Sequence, residues 1–303
     1  MLAVFISWRR APTARKIYQE IGGRSPILEQ TQKQALALEA ELGPNYKVFI
    51  VMRYWHPRAD AVYRAVMDFS PEEVVLLPLY PHFSTTTTLS SLLEWSQVQS
   101  WQTDRWQTRV IKSYPSLPGL VCYYAEQLNH LLKGIKKKET CRILFSAHGL
   151  PEKVIQAGDP YQKQIVKSST EIQNLLPDDV DCLVTYQSRV GPLKWLDPYT
   201  DEEIKRAGAE KKHLIIVPIA FVSEHSETLV ELDIEYRKLA EESGVLSYHR
   251  VMTPQCDPRF IKSLAQLVHE SECLPFGSGI YPCLGWDCPK KLTNPKVCCL
   301  KRG

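Results

Sequence analysis

No apolar run in this 303-residue chain approaches the roughly 18 residues that a membrane-spanning helix needs. The longest, "VVLLPLY" and "LIIVPIAFV", are strand-sized, so any membrane contact is expected to be peripheral. The opening "MLAVFISWRRAPTARK" holds only a short apolar stretch ahead of its arginines, too little for a signal-peptide core. A reducing compartment follows. Charge imbalance is also missing: 37 basic against 34 acidic side chains leave a net +3. With no basic motif interleaved with aromatics, nucleic acid is an improbable partner. There is no GxGxxG after a strand, no Walker lysine loop, no GxSxG elbow and no HExxH, which removes support for the commonest nucleotide, hydrolase and zinc-protease readings. Nine cysteines, spread thinly until the tail, fit free thiols or metal ligands better than a disulfide framework. No internal repeat is present, and no low-complexity segment beyond "STTTT".

What is present is alternation. Short apolar, β-branched runs at 46–52, 73–79, 141–147, 182–187 and 213–220 are separated by amphipathic stretches, the pattern of parallel α/β with right-handed crossovers. Helices are expected over Ala11–Ile21, Ser25–Leu42, Pro57–Phe69, Pro118–Leu132, Tyr161–Leu176 and Ser226–Glu242. The length allows two ordinary domains, and the basic stretch "KGIKKKET" at 133–140 is the expected boundary. The domains are then 1–132 and 133–269, with a cysteine-bearing extension over 270–303. Polar residues gather where the strands end: Arg53, Tyr54 and His56; Tyr80, His82, Ser84 and Thr85; His148; Gln187, Ser188 and Arg189; and an acidic run from Glu224. Open parallel sheets bind ligands at their carboxyl ends, so a cleft between two doubly wound units is expected there.

The acidic run, "FVSEHSETLVELDIEY", is the densest signal. With Ser223 or Ser226 capping an α-helix, a step of about 100° per residue puts Glu231, Glu224 and Glu235 within roughly 80° of Glu227, with Asp233 near 240° on the expected solvent face. Apolar residues flank that stripe on both sides, which turns the acids inward. Carboxylates away from water must protonate, pair with a cation or bind a metal, so a cation is expected opposite. His148 lies just past a strand in "FSAHGLP", and a free imidazole titrates near neutral pH. It fits a proton acceptor, although one histidine equally fits a satisfied structural role. Oxygen donors plus one imidazole suit a transiently held divalent metal such as ferrous iron. Arg9, Arg10, Arg53 and Arg189 could pair with substrate carboxylates, and Tyr18, Tyr54, Trp55, Tyr80 and Trp195 could pack on a large flat molecule.

The stretches "RRAPTARKIYQEIGGRSPI", "MRYWHP", "LPLYPHFSTTTT", "ILFSAHGLPEKVIQAGDPY", "TYQSRVGPLKWLDP" and "VPIAFVSEHSETLVELDIEY" together resemble the ferrochelatases, lyases that insert ferrous iron into protoporphyrin IX to make haem. The resemblance implies two Rossmann-like domains with four-stranded parallel sheets around a porphyrin cleft. It implies that His148 is the active-site histidine, that Glu227 works opposite it, and that Glu231 and Glu235 continue an acidic path for metal or protons. Arg53, Tyr54, Phe221 and Trp195 match positions lining the porphyrin site. The family usually opens on a strand ending in an "NLGGP"-like turn, whereas this chain starts later, at "LAVFISWRR". A first domain short of a strand is expected, with Met1 read as an internal methionine of a misassigned or truncated start.

By the same resemblance, Cys122 with Cys283, Cys288 and Cys298 is expected to hold a [2Fe-2S] cluster, with zinc or free thiols as the alternatives. Two further readings stay open: a non-catalytic porphyrin- or haem-binding protein derived from a truncated chelatase, and a chelatase for another divalent metal. The expected location is the cytoplasm, with peripheral contact at the inner membrane, or an organelle matrix if the start has been trimmed. A homodimer is expected by analogy alone.

Overall fold

The computed structural model describes residues 18–99 and 106–273. Its first half comprises α1 (Ile27–Leu42), α2 (Ala59–Phe69), β1 (Glu73–Leu76), α3 (Thr88–Gln99), β2 (Gln107–Val110) and α4 (Pro118–Leu132). β1 and β2 pair in parallel, with Glu73 opposite Gln107 and Leu76 opposite Val110. The expected strand at 46–52 joins no ladder among the described residues. The Val48 N–H donates to the Glu39 carboxylate at 2.8 Å, and the Met52 N–H to the Pro57 carbonyl at 2.8 Å. Composition reports fit to a pleated, half-buried surface rather than a backbone partner, and here a side chain and a turn take those donors. The sheet of this half is therefore two-stranded among the described residues, not four-stranded. Most of the helix expected over Ala11–Ile21 lies outside them.

Beyond a 3-10 turn at Lys138–Thr140 come β3 (Cys141–His148), α5 (Glu152–Gln156), α6 (Tyr161–Gln173), β4 (Asp181–Gln187), α7 (Thr200–Ala209) and β5 (His213–Pro218). A π-helix (Glu227–Glu235), α8 (Tyr236–Ser243), β6 (Ser247–Arg250) and α9 (Pro258–Glu272) complete this half. Its four strands are all parallel, in the order β4-β3-β5-β6. Alternate residues of β3 face opposite layers. Ile143, Phe145 and Ala147 join the core that includes Leu128 of α4 and Ile165 of α6. Leu144 joins a second cluster with Ile204, Leu214, Ile216 and Leu232 on the other face. This is a doubly wound sheet. β2 and β6, "QTRV" and "SYHR", are too short and polar to show an apolar run.

The chain then returns to its beginning. α9 starts on Pro258, and the Asp257 carboxylate accepts the Arg259 N–H at 3.0 Å, a satisfied N-cap. It packs on α1 and α4 and buries Phe260, Leu264 and Val268. Gly119 permits the approach: a Cβ there would lie 2.1 Å from the Arg259 carbonyl oxygen. One continuous core, from Leu38 to Val268, therefore runs through both halves. The buried Asp159 also joins them, accepting the Ser84 hydroxyl at 3.0 Å and the Thr85 N–H at 2.7 Å. Among the described residues no helix is long and apolar enough to cross a membrane.

Candidate active site

The end of β3 delivers His148 and the register sets Gln187 of β4 beside it. The turn after His148 is held from two sides. Tyr161 Oη donates to the His148 carbonyl at 2.9 Å, and the Gly149 N–H donates to the Gln187 carbonyl at 2.9 Å. A Cβ on Gly149 would press on that same Gln187 oxygen at 2.9 Å and on the Trp195 ring at 3.3 Å, so glycine is what lets strand, turn and indole close up. Trp195 is fixed in turn by its Nε1–H, which donates to the Val190 carbonyl at 3.0 Å.

Opposite stands the π-helix. His148 Nδ1 lies 2.9 Å from Glu227 Oε2, with the two side chains 38% and 35% exposed, so both remain accessible to a substrate. His225 Nε2 is 3.9 Å from the same Glu227 oxygen, and its ring packs on Phe221 at 4.7 Å between centroids. Burial works to lower the His148 pKa, but the hydrogen bond and charge of Glu227, with Glu231 behind it, outweigh that and raise it above its ordinary value. Burial works to raise the Glu227 carboxyl, and the two imidazoles overcome it, holding it well below the usual carboxylate range. Electrostatically this is a carboxylate held ionised beside an imidazole, which it stabilises on protonation. His225 escaped the sequence reading, although it stands two residues before Glu227.

The acidic run does not form one stripe. Glu224 precedes the helix and is buried; Arg250 donates to both its oxygens at 3.0 Å, and the Thr253 N–H donates at 2.8 Å. Burial works to raise its carboxyl, and Arg250 with the Thr partners brings it below its ordinary value. The other arm of Arg250 donates to Asp233 at 2.6 Å, so Asp233 is tied inward rather than turned to solvent. Glu235 is exposed. Neither serine caps the helix: Ser226 makes no capping bond, and the Ser223 hydroxyl donates to Gln34 at 2.9 Å. The projection at 100° per residue fails because the backbone closes i→i+5 turns. The expected cations are there, as Arg250 against Glu224 and His148 against Glu227.

Glu231 accepts four hydrogen bonds, three of them from the end of β4 and none from a charged group. Its Oε1 accepts the Ser188 N–H at 3.0 Å and Tyr236 Oη at 3.1 Å, while Oε2 accepts Gln187 Nε2 at 3.2 Å and the Ser188 hydroxyl.

Of the aromatic and basic candidates, Phe221 packs on His225 and Trp195 closes on Gly149, the residue after His148. Arg53 belongs to a separate group in the first half, donating to Ser90 at 3.3 Å, pairing with Glu94 at 3.1 Å and lying 4.8 Å over the exposed Tyr54 ring. Arg189 is engaged by Asp201 and Glu202 and stacks on Tyr199 at 3.9 Å, which takes it away from a substrate carboxylate. Cys122 is exposed on α4, whereas Arg9, Arg10, Cys283, Cys288 and Cys298 lie outside the described residues. No group of three or more His, Cys, Asp or Glu side chains able to hold a metal occurs among the described residues.

The family model described as Ferrochelatase matches residues 1–272. Curated relatives named Ferrochelatase include one from Phenylobacterium zucineum, 47% identical, with 95% of this chain and 85% of the relative covered. One from Caulobacter vibrioides is 49% identical, with 95% and 83% covered. Among solved structures, SirB from Bacillus subtilis, determined with Fe3+, matches with a TM-score of 0.59 at 13% identity, covering 81% of this chain and 89% of that one. CbiX, the terminal enzyme of sirohaem biosynthesis in denitrifying bacteria, matches with a TM-score of 0.51 at 14% identity, with 82% and 94% covered. At such identities these two structures speak for the fold alone, a two-domain chelatase arrangement of parallel α/β layers.

Proposed function

Because this chain belongs to the ferrochelatase family, a metal chelatase that inserts ferrous iron into protoporphyrin in haem synthesis, we propose that His148 and Glu227 form its proton-accepting centre. Iron and porphyrin are both substrates. Metallation replaces two pyrrole N–H protons by one Fe(II), so the ring nitrogens need a base within reach as the metal enters. The observation that carries the reading is the 2.9 Å contact between His148 Nδ1 and Glu227 Oε2. With Nδ1–H donating to that carboxylate, the neutral imidazole presents a free Nε2 lone pair, and Glu227 then stabilises the imidazolium formed when a pyrrole proton arrives. Phe221, packed on His225, and Trp195, closed on Gly149, are assigned as the flat apolar surface for the macrocycle. Arg53 and Tyr54 are assigned to the porphyrin periphery on the first-half side, and Glu235, exposed at the end of the π-helix, to the outer approach of iron or departing protons.

The test is anaerobic loss of protoporphyrin fluorescence on adding ferrous iron. His148→Ala is expected to slow turnover by about 10²- to 10⁴-fold while porphyrin binding persists. A variant turning over at the wild-type rate would sink the assignment.

The domain division near 133–140 and a [2Fe-2S] cluster on Cys122 and the tail cysteines remain part of this proposal. The exposed position of Cys122 on α4 suits a thiolate shared with a distant segment, and a cluster would show as visible absorption in anaerobically purified protein, lost on Cys122→Ala. Exposed Tyr54, Trp55, Val190 and Leu193 support peripheral membrane contact.

A further inference from the structure

The four donors on Glu231 set it apart from Glu227. A carboxylate offers about four lone-pair directions, and Ser188 N–H, Ser188 Oγ, Gln187 Nε2 and Tyr236 Oη take up all four. The donors are themselves constrained. Gln187 is 2% exposed, and its amide oxygen accepts the Ser146 hydroxyl at 2.7 Å; Ser146 Oγ in turn lies 2.9 Å from Thr200 Oγ1, and both of these residues are fully buried. With its oxygen taken by Ser146, Gln187 can offer Glu231 only its NH2 group. Ser188 has φ +62°, a left-handed conformation costly for a residue with a Cβ, and it is in this conformation that its N–H meets Glu231. Tyr236 stands five residues after Glu231, one turn along the wider π-helix.

We propose that Glu231 is a positioning residue: it pins the middle of the π-helix to the end of β4 and thereby sets Glu227 against His148, and it does not itself hand on iron. The proposal rests on the reading of His148 and Glu227 above. β4 and β3 are in register at Gln187 and His148, so a carboxylate tied to Gln187 and Ser188 fixes the helix relative to the strand end that carries the base. Glu227 lies four residues before that tie and moves with it.

Two measurements test this. In steady-state kinetics, Glu231→Gln and Gln187→Leu are each expected to lower kcat about tenfold to a hundredfold, the cost of misplacing a reacting group by roughly an ångström. KM for ferrous iron and for protoporphyrin should stay within about twofold. The double variant should be no slower than the slower single one, since both cut the same contact. A raised KM for iron with kcat held, or losses that multiply, would overturn the proposal. In hydrogen exchange of the substrate-free chain, amides of 227–235 should exchange about tenfold faster in Glu231→Gln. Unchanged exchange overturns the anchoring. Faster exchange with unchanged kcat overturns instead the role given to Glu227. Should Gln187→Leu fail to fold, Ser188→Ala, which keeps the N–H and drops the hydroxyl, is expected to give the same kcat loss in weaker form.

Discussion

Glu227 is held between two imidazoles, His148 at 2.9 Å and His225 at 3.9 Å, and that arrangement governs how the site responds to pH. In the role proposed for it, His148 accepts protons only while neutral, so activity is expected to fall as pH drops through its pKa. Glu227 is what raises that pKa against the effect of burial. In Glu227→Gln the acid limb of the kcat profile is therefore expected to move to lower pH, with a lower plateau because the imidazolium loses its counter-charge; a limb that stays put would contradict the pairing. Linkage has the matching sign. A histidine raised on folding contributes stability that is complete below about pH 6.5 and lost as pH rises through the raised value, so the variant's deficit in thermal melting should shrink on the alkaline side. Local pattern brought out His148, just past an apolar run, and the acidic stretch as a whole, while the resemblance picked Glu227 from that stretch; the two side chains meet at 2.9 Å. Arg250 was not legible in the sequence: its partners Glu224 and Asp233 lie 26 and 17 residues away, and only the fold reveals the pairing.

At the scale of elements, α4 appears over Pro118–Leu132 as its pattern predicts, and the apolar runs at 73–79, 141–147, 182–187 and 213–220 hold β1, β3, β4 and β5, of which β3 and β5 are the most deeply buried. β2 and β6 carry too little apolar surface to announce themselves. The acidic helix illustrates a different failure. Spacing identifies a helix but cannot distinguish i→i+4 from i→i+5 closure, and the projection of its side chains depends on that difference. The α4–α9 contact depends on something equally silent in a pattern of apolar residues, the missing Cβ of Gly119. Gly119→Ala is expected to destabilise the protein by about 1–3 kcal/mol, the usual cost of forcing volume into a packed contact, even though alanine is the better helix former. Urea denaturation checks it, and a stabilised variant would mean the two helices can part without cost.

Across the whole molecule, the parallel α/β class was readable from alternation alone, whereas the return of α9 to the first half was not, since nothing local says where an amphipathic helix will dock. Phe260, fully buried in that helix, measures the contact: Phe260→Ala is expected to cost about 3–5 kcal/mol in equilibrium unfolding, and a loss under about 1 kcal/mol would mean that α9 contributes little to the shared core. The docking of α9 also has a consequence on the ribosome. Leu38, Leu120 and Leu128 belong to a core that includes Phe260, Leu264 and Val268, yet α4 ends at residue 132 and α9 at residue 272. At about 5–20 residues per second, the nascent first half waits roughly 7 to 28 seconds for the helix that covers it, with apolar side chains open to chaperones throughout. Codon-level pausing within the second half would lengthen that exposure, and the yield of folded protein would depend on translation speed more than native stability suggests.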